Sequence, residues 1–217
     1  MHGLSLIQYA AVAALPLLFA ITLHEVAHGW MARRYGDRTA EMLGRLSLNP
    51  IRHIDPVGTV LVPGILLFLG GFIFGWAKPV PVDARNLRNP KRDMAVVAAA
   101  GPLANLGMAL IWALIAKIGL MLAAVSPWVS VPLILMGKVG IFLNLILMVL
   151  NLLPLPPLDG GRVLVGLLPD RYAVKLAAIE PYGFFILIGL LVTGYLGKII
   201  GPPILALERL LVALTGI

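Results

Sequence analysis

Apolar positions gather into five long runs, at about 4–31, 57–77, 94–124, 131–153 and 182–215, joined by short arginine-rich connections. A helix crossing a hydrocarbon layer of about 30 Å needs about 20 predominantly apolar residues, and each run is long enough. The first carries no charge from Leu4 to Leu23. The last is interrupted by Lys198, Gly201, Pro202 and Pro203, which predicts one span to about Leu196 and a short amphipathic helix over 204–214. The second contains Pro63-Gly64 and Gly70-Gly71, with Gly75-Trp76 at its exit. It is long enough to cross as an ordinary span, yet its break points also allow it to dip in and return. Re-entrant backbone is tolerated at membrane depth only when buried in protein or lining a water-filled cavity, so a returning element would imply such a cavity. The expected fold is an all-α integral membrane bundle of four to six membrane segments. It forms a single membrane-embedded domain over 1–217, with a re-entrant element at about 57–77.

Composition agrees. Of the 217 residues, 60% are hydrophobic and 12% charged, and mean hydropathy is +0.97. Soluble domains carry about 45–50% apolar residues. No stretch between the runs is long enough for a separate module such as a PDZ domain. The first run lacks a basic leader and is too long for a cleavable signal peptide, so it is expected to remain. The absence of cysteine excludes disulfides, thiolate metal ligands and a cysteine nucleophile. A net charge of +7 raises the question of nucleic acid. The arginines, however, stand in loops beside membrane segments, where topology accounts for them. The expected partner is the lipid bilayer, with no nucleic acid; the pattern specifies no oligomeric state.

Cytoplasmic loops collect lysine and arginine. Arg33, Arg34, Arg38, Arg45 and Arg52 follow the first run, Lys78, Arg85, Arg88, Lys91 and Arg92 the second, and Arg162, Arg171 and Lys175 the fourth. If 57–77 returns, these all fall on one side, against Lys117, Lys138, Lys198 and Arg209 elsewhere. Lys117 and Lys138 are then expected near outer helix ends, where they can snorkel. If 57–77 crosses, two equally basic loops lie on opposite sides. Trp76 and Trp128 are expected at membrane interfaces.

His24-Glu25-Val26-Ala27-His28 carries the chemistry. On a helix the two histidines are one turn apart and point the same way, as two imidazole ligands of one zinc ion require, with Glu25 beside them as a general base. Ionisable groups inside membrane segments are costly and usually functional. A catalytic zinc takes three protein ligands and leaves one position open. Asp159 is the candidate third, following Pro154, Pro156 and Pro157, which cannot continue a helix. Gly160 and Gly161 permit sharp backbone geometry there. The other reading of Asp159 is a cap for the next helix. Topology separates the two. His24 lies about nine residues before Arg33, roughly 14 Å of helix, so the metal would sit in the cytoplasmic half. Only a returning 57–77 brings Asp159 to the same side.

His24–His28 together with Asn151-x-x-Pro154-x-x-x-Leu158-Asp159-Gly160 resembles the site-2 protease family of intramembrane zinc metalloproteases. Gly101-Pro102-Leu103-Ala104-Asn105 is similar to that family's G-P-x-x-N element. Gly44-Arg45-Leu46-Ser47-Leu48-Asn49-Pro50 and Gly75-Trp76-Ala77-Lys78-Pro79-Val80-Pro81-Val82 resemble its compact members, which lack an inserted PDZ or CBS domain. The resemblance covers about residues 20–165. It implies a zinc endopeptidase of the cell membrane, multi-pass, with its active site in the cytoplasmic half. Zn2+ would be held by His24, His28 and Asp159, and the substrates would be membrane-anchored proteins. It also implies that Asn151 donates a hydrogen bond to the developing oxyanion, against the alternative of an interhelical bond.

Asn105 is expected to pack between helices, and Gly101-Pro102 to shape a helix start. His53, in a basic loop, is expected to be exposed or interfacial. Val80-Pro81-Val82 offers an edge for an extended substrate. The rival to an enzyme is a non-catalytic zinc-binding or metal-transporting membrane protein, which would use the same His/His/Asp cluster but has no need of Glu25.

Overall fold

The computed structural model describes residues 5–61, 64, 65, 75 and 78–217. Helix α1, Leu6–Arg34, opens on Ser5, whose side chain accepts from the Gln8 amide while the Gln8 side chain accepts from the Ser5 amide. This reciprocal cap satisfies two otherwise orphaned donors. A short helix, α2, covers Thr39–Met42. Long helices α3, Pro90–Met121, and α4, Pro127–Asn151, follow, each with proline at its start, where a missing N–H costs nothing. Beyond a proline-rich bend come α5, Asp159–Leu167, α6, Asp170–Ala177, α7, Glu180–Val192, and α8, Tyr195–Thr215.

Helices α1, α3 and α4 are long and apolar enough to cross a membrane. The pair α6 and α7, bent by 62°, adds a fourth if counted as one span. Only 22% of the most apolar stretch of α1 is buried within the protein, and its outer face shows Leu15, Leu17, Leu18 and Phe19. Bilayer must cover that face. The protein is a helical integral membrane protein, and no strand occurs among the described residues.

The core lies between α3, α4 and α8, where Met108, Trp112, Ile141, Leu145, Val149, Ile204 and Leu211 cluster. Close approach of α3 and α4 depends on Gly140, where a Cβ would strike the Trp112 ring. Small residues at crossings of this kind let membrane helices approach closely enough to pack without a hydrophobic driving force.

Most of the expected re-entrant element at 57–77, Trp76 included, lies outside the described residues. Its entrance is a π-helical stretch, Pro56–Leu61, whose first amides, Val57 and Gly58, donate to Asp55 Oδ1 at 2.9 and 2.7 Å. Its flanks meet: the Lys78 amide donates to His53 O at 3.0 Å, and the Arg88 amide donates to Tyr35 O at 3.1 Å. The end of α1 therefore lies beside the start of α3.

Four sequence expectations are corrected. Gly101-Pro102 does not start a helix but lies well inside α3, which begins at Pro90 behind the N-cap Asn89. Lys138 is not near a helix end. It stands in the middle of Pro127–Asn151 and lines, with Glu208 of α8, a cavity of about 530 Å³. The final run breaks at Gly194, whose φ of +74° ends α7, rather than at the prolines. Pro202 and Pro203 lie inside α8, because a helix accepts their fixed φ at the cost of two backbone donors. His53 is not exposed but 1% accessible, with Nε2 donating to Ser47 O at 2.8 Å.

Candidate metal centre

One turn of α1 aims both histidines at α3. There, Val97, Gly101 and Asn105 recur at helical spacing and share a face. His28 Nδ1 donates to Val97 O at 2.8 Å. His24 Nδ1 donates to Asn105 Oδ1 at 2.5 Å. Gly101 sits between them, where a Cβ would fall on His28 Nε2 and within 2.6 Å of His24 Cε1. Only glycine lets α3 come this close to the imidazoles.

The amide of Asn105 is itself oriented. Its Nδ2 donates to Ala20 O at 3.2 Å and to Asn144 Oδ1 at 2.9 Å, and Asn144 Nδ2 donates to Gly140 O at 2.8 Å. Both asparagines are 0% exposed. A backbone carbonyl can only accept, so the direction of the chain from Gly140 O to His24 is set at every step. Asn105 does pack between helices, as expected, but its oxygen also holds a histidine.

Asp159 is the first residue of α5, yet it forms no side-chain cap there. Its Oδ2 lies 3.2 Å from both His24 Nε2 and His28 Nε2, which are 3.1 Å apart. The glycines that follow serve packing rather than unusual φ. A Cβ on Gly160 would strike Leu152 O, and one on Gly161 would strike the Pro156 amide nitrogen. The bend at 152–156 lies directly against α5 and leads the chain from the end of α4 back to the histidines.

The donor set fits a divalent metal. Each Nδ1 carries a hydrogen because its partner is an acceptor, so each Nε2 presents a lone pair inward. Asp159 Oδ2 is buried and receives no hydrogen bond. Three acceptor atoms thus converge within 4.8 Å, at exposures of 8%, 9% and 8% for His24, His28 and Asp159. Lone pairs so close repel one another unless a cation lies between them. Two imidazoles and one carboxylate are the donor set of a catalytic zinc site.

Glu25, half-buried beside this cluster, accepts from the Val80 amide through Oε2 at 2.7 Å. Asn151 stands at the end of α4, where its Nδ2 donates to Leu147 O of its own helix at 2.9 Å. Val97 and Asn144 had no place in the sequence expectation, and the Val80 amide, expected at an edge for substrate, is bonded to Glu25 instead. The spacing of Val97, Gly101 and Asn105 on α3 was the available signal for one of them.

A model of peptidase family M50 matches residues 12–127. The chain belongs to peptidase family M50. Among relatives, YwhC of Bacillus subtilis, named as a zinc metalloprotease, is 41% identical over 213 residues, 96% of this chain and 90% of that protein. Rip2 of Mycolicibacterium smegmatis, likewise named, is 34% identical over 184 residues, 83% of this chain and 66% of that protein. Rip2 of Mycobacterium tuberculosis strain H37Rv is 31% identical over 191 residues, 86% of this chain and 68% of that protein. No solved structure matches. This M50 peptidase is a zinc metalloprotease embedded in the membrane, with Zn2+ as its metal, and the rival reading as a metal transporter loses its ground. The M50 match spans His24, Glu25, His28, Gly101 and Asn105 and ends before Asn151 and Asp159.

Proposed function

We propose that the chain cuts membrane-anchored proteins within or close to a transmembrane segment. In this reading His24, His28 and Asp159 hold zinc, Glu25 is the general base, and the domain over 1–217 lies in the cell membrane as a multi-pass protein. The observation that carries it is the convergence of three inward lone pairs beside a half-buried glutamate at membrane depth. Held by these three residues, zinc would supply Lewis-acid chemistry, lowering the pKa of a water molecule and polarising a carbonyl. Glu25 takes the proton of the attacking water and delivers it to the leaving amine, so that one water is consumed for each peptide bond cut. Asn151, once its amide turns from Leu147 O, donates to the developing negative charge on the carbonyl oxygen.

The active site belongs to the cytoplasmic half. Arg33 and Arg34 close α1 within a few turns of His28, and the loops that follow at that end carry Arg38, Arg45, Arg52, Arg85 and Arg88. That bias marks a cytoplasmic face.

Glu25→Gln tests the reading against a transporter. The variant should keep one zinc per chain and produce no fragments of membrane proteins, whereas His24→Ala, His28→Ala or Asp159→Ala should lose zinc and activity together. Proteomic comparison of cells carrying wild-type or Glu25→Gln protein supplies the cut sites. Cuts in soluble loops far from the membrane, or full zinc in both histidine variants, would sink it.

A further inference from the structure

Gly44–Pro50 and Lys78–Val82 take no part in the mechanism above, yet they meet beside Glu25. Val80 stands between Pro79 and Pro81, which have no N–H, so the Val80 amide is the single donor of that tripeptide. It donates to Glu25 Oε2 at 2.7 Å. The Val80 side chain is buried against Gly29 of α1, where a Cβ would lie 2.8 Å from Val80 Cγ1.

The strap that carries this amide is pinned on both sides. Upstream, the Lys78 amide donates to His53 O at 3.0 Å, and Arg45 Nη2 donates to Lys78 O at 2.8 Å and Pro79 O at 3.4 Å. Downstream, the Asp83 amide donates to Asp37 Oδ2 at 2.8 Å. Arg45 Nε is buried without a partner. Leaving a buried donor unsatisfied costs stability, so the placement of this guanidinium calls for a reason other than stability. One nitrogen reaches two successive carbonyls immediately before Val80. A lysine ammonium, strongly hydrated on a more flexible stem, would hold the two carbonyls less firmly.

We propose that Arg45 and the Val80 amide are positioning elements for the general base. Arg45 fixes the carbonyls of Lys78 and Pro79, and this holds the Val80 N–H on one oxygen of Glu25. The carboxylate is locked in one orientation, with its other oxygen left to take the proton. The inference rests on Glu25 being the base.

The test uses the full zinc-loaded chain in lipid vesicles. Its substrate is a reporter with one transmembrane helix carrying glycine in its cytoplasmic half. Arg45→Met should lower kcat by about tenfold to a hundredfold, the scale of a misplaced catalytic group, with KM changed less than about twofold and zinc still one per chain. Val80→Pro, which removes the N–H, should do the same. Combining the two should cost no more than either alone, because they act through one contact. Arg45→Lys should recover part of the loss, and together with Val80→Pro it decides the matter if Arg45→Met fails to fold. Additive losses, a loss confined to KM, unchanged kcat in both Arg45→Lys and Val80→Pro, or loss of zinc in step with activity would overturn the assignment while leaving the proposed function standing. No cleavage by the wild-type chain would sink both.

Discussion

Asn105 Oδ1 accepts from His24 Nδ1 at 2.5 Å, and Asn105 is in turn held by Asn144. The imidazole of a proposed metal ligand is thereby fixed in tautomer and angle by a residue on a different helix. Partners of this kind are worth about 10–100-fold in metal affinity. Asn105→Leu should weaken zinc binding by about that factor in chelator competition, and Asn144→Leu should weaken it less. Equal affinity in Asn105→Leu and wild type would show that His24 needs no orienting partner.

Gly101 and Gly107 lie on the same helix and predict opposite outcomes. A Cβ at 101 would collide with both histidine rings, whereas one at 107 meets nothing within 4 Å. Gly101→Ala should displace the pair and lower zinc content well below one per chain. Gly107→Ala should keep full zinc and gain up to about 1 kcal/mol from helix propensity. Metal analysis and thermal melts of the two variants check this.

Asp37 gives the basic loop an acid-sensitive anchor. Burial raises its pKa, but hydrogen bonds from Thr39 Oγ1, Asn86 Nδ2 and the amides of Thr39 and Asp83 outweigh that and hold it below the ordinary carboxylate range. A depressed folded pKa contributes stability above the unfolded value, and this is lost as pH falls through the folded value. Near neutrality the Asp37 contribution to stability should therefore be full and independent of pH, and it should be lost progressively as pH falls below about 4, the value of a free aspartate. Asp37→Asn should be less stable by about 1–3 kcal/mol near neutrality, from lost bonds to a charged acceptor, and should approach wild type in acid. A gap that stays constant down to strong acid would contradict this.

Cleavage depends on unwinding the substrate. With His24 and His28 nine and five residues before Arg33, about one and a half to two and a half turns of helix, the proposed site would cut in the cytoplasmic half of a transmembrane helix, and a helical backbone hides its carbonyls. Glycine costs a helix about 1 kcal/mol relative to alanine, and proline about 3. Either residue near the cut should speed cleavage and leucine should slow it, as fragment yields by mass spectrometry will show. Indifference to these substitutions would mean that the substrate is already extended where it is cut.

The three long apolar helices and the pairing of His24, Glu25 and His28 were legible along the chain, because both depend on local spacing. A run of apolar residues dictates a helix in lipid whatever surrounds it, and residues one turn apart share a face in any helix. The approach of Asp159 to the histidines was within reach of the same reasoning, through the prolines that follow the fourth run. Where that reasoning stopped is equally physical. Gly160 and Gly161 looked like sharp turns, but their backbone is ordinary and their role is to admit the bend at 152–156. His53 looked exposed in an arginine-rich stretch, but the return of Lys78 buries it.

The sequence by itself determined which helices are long and apolar enough to cross a membrane and which two histidines face one way. Tertiary structure decided what those histidines face: the carbonyl of Val97, the oxygen of Asn105, the missing Cβ of Gly101 and the carboxylate of Asp159. It also decided that an amide between two prolines would rest on Glu25. These partners are separated along the chain by 81 positions for His24 and Asn105, 69 for His28 and Val97, and 55 for Glu25 and Val80. No local periodicity links residues so far apart. Their contacts exist only because whole helices pack at one depth and one rotation, and that is set by the sum of all their surfaces.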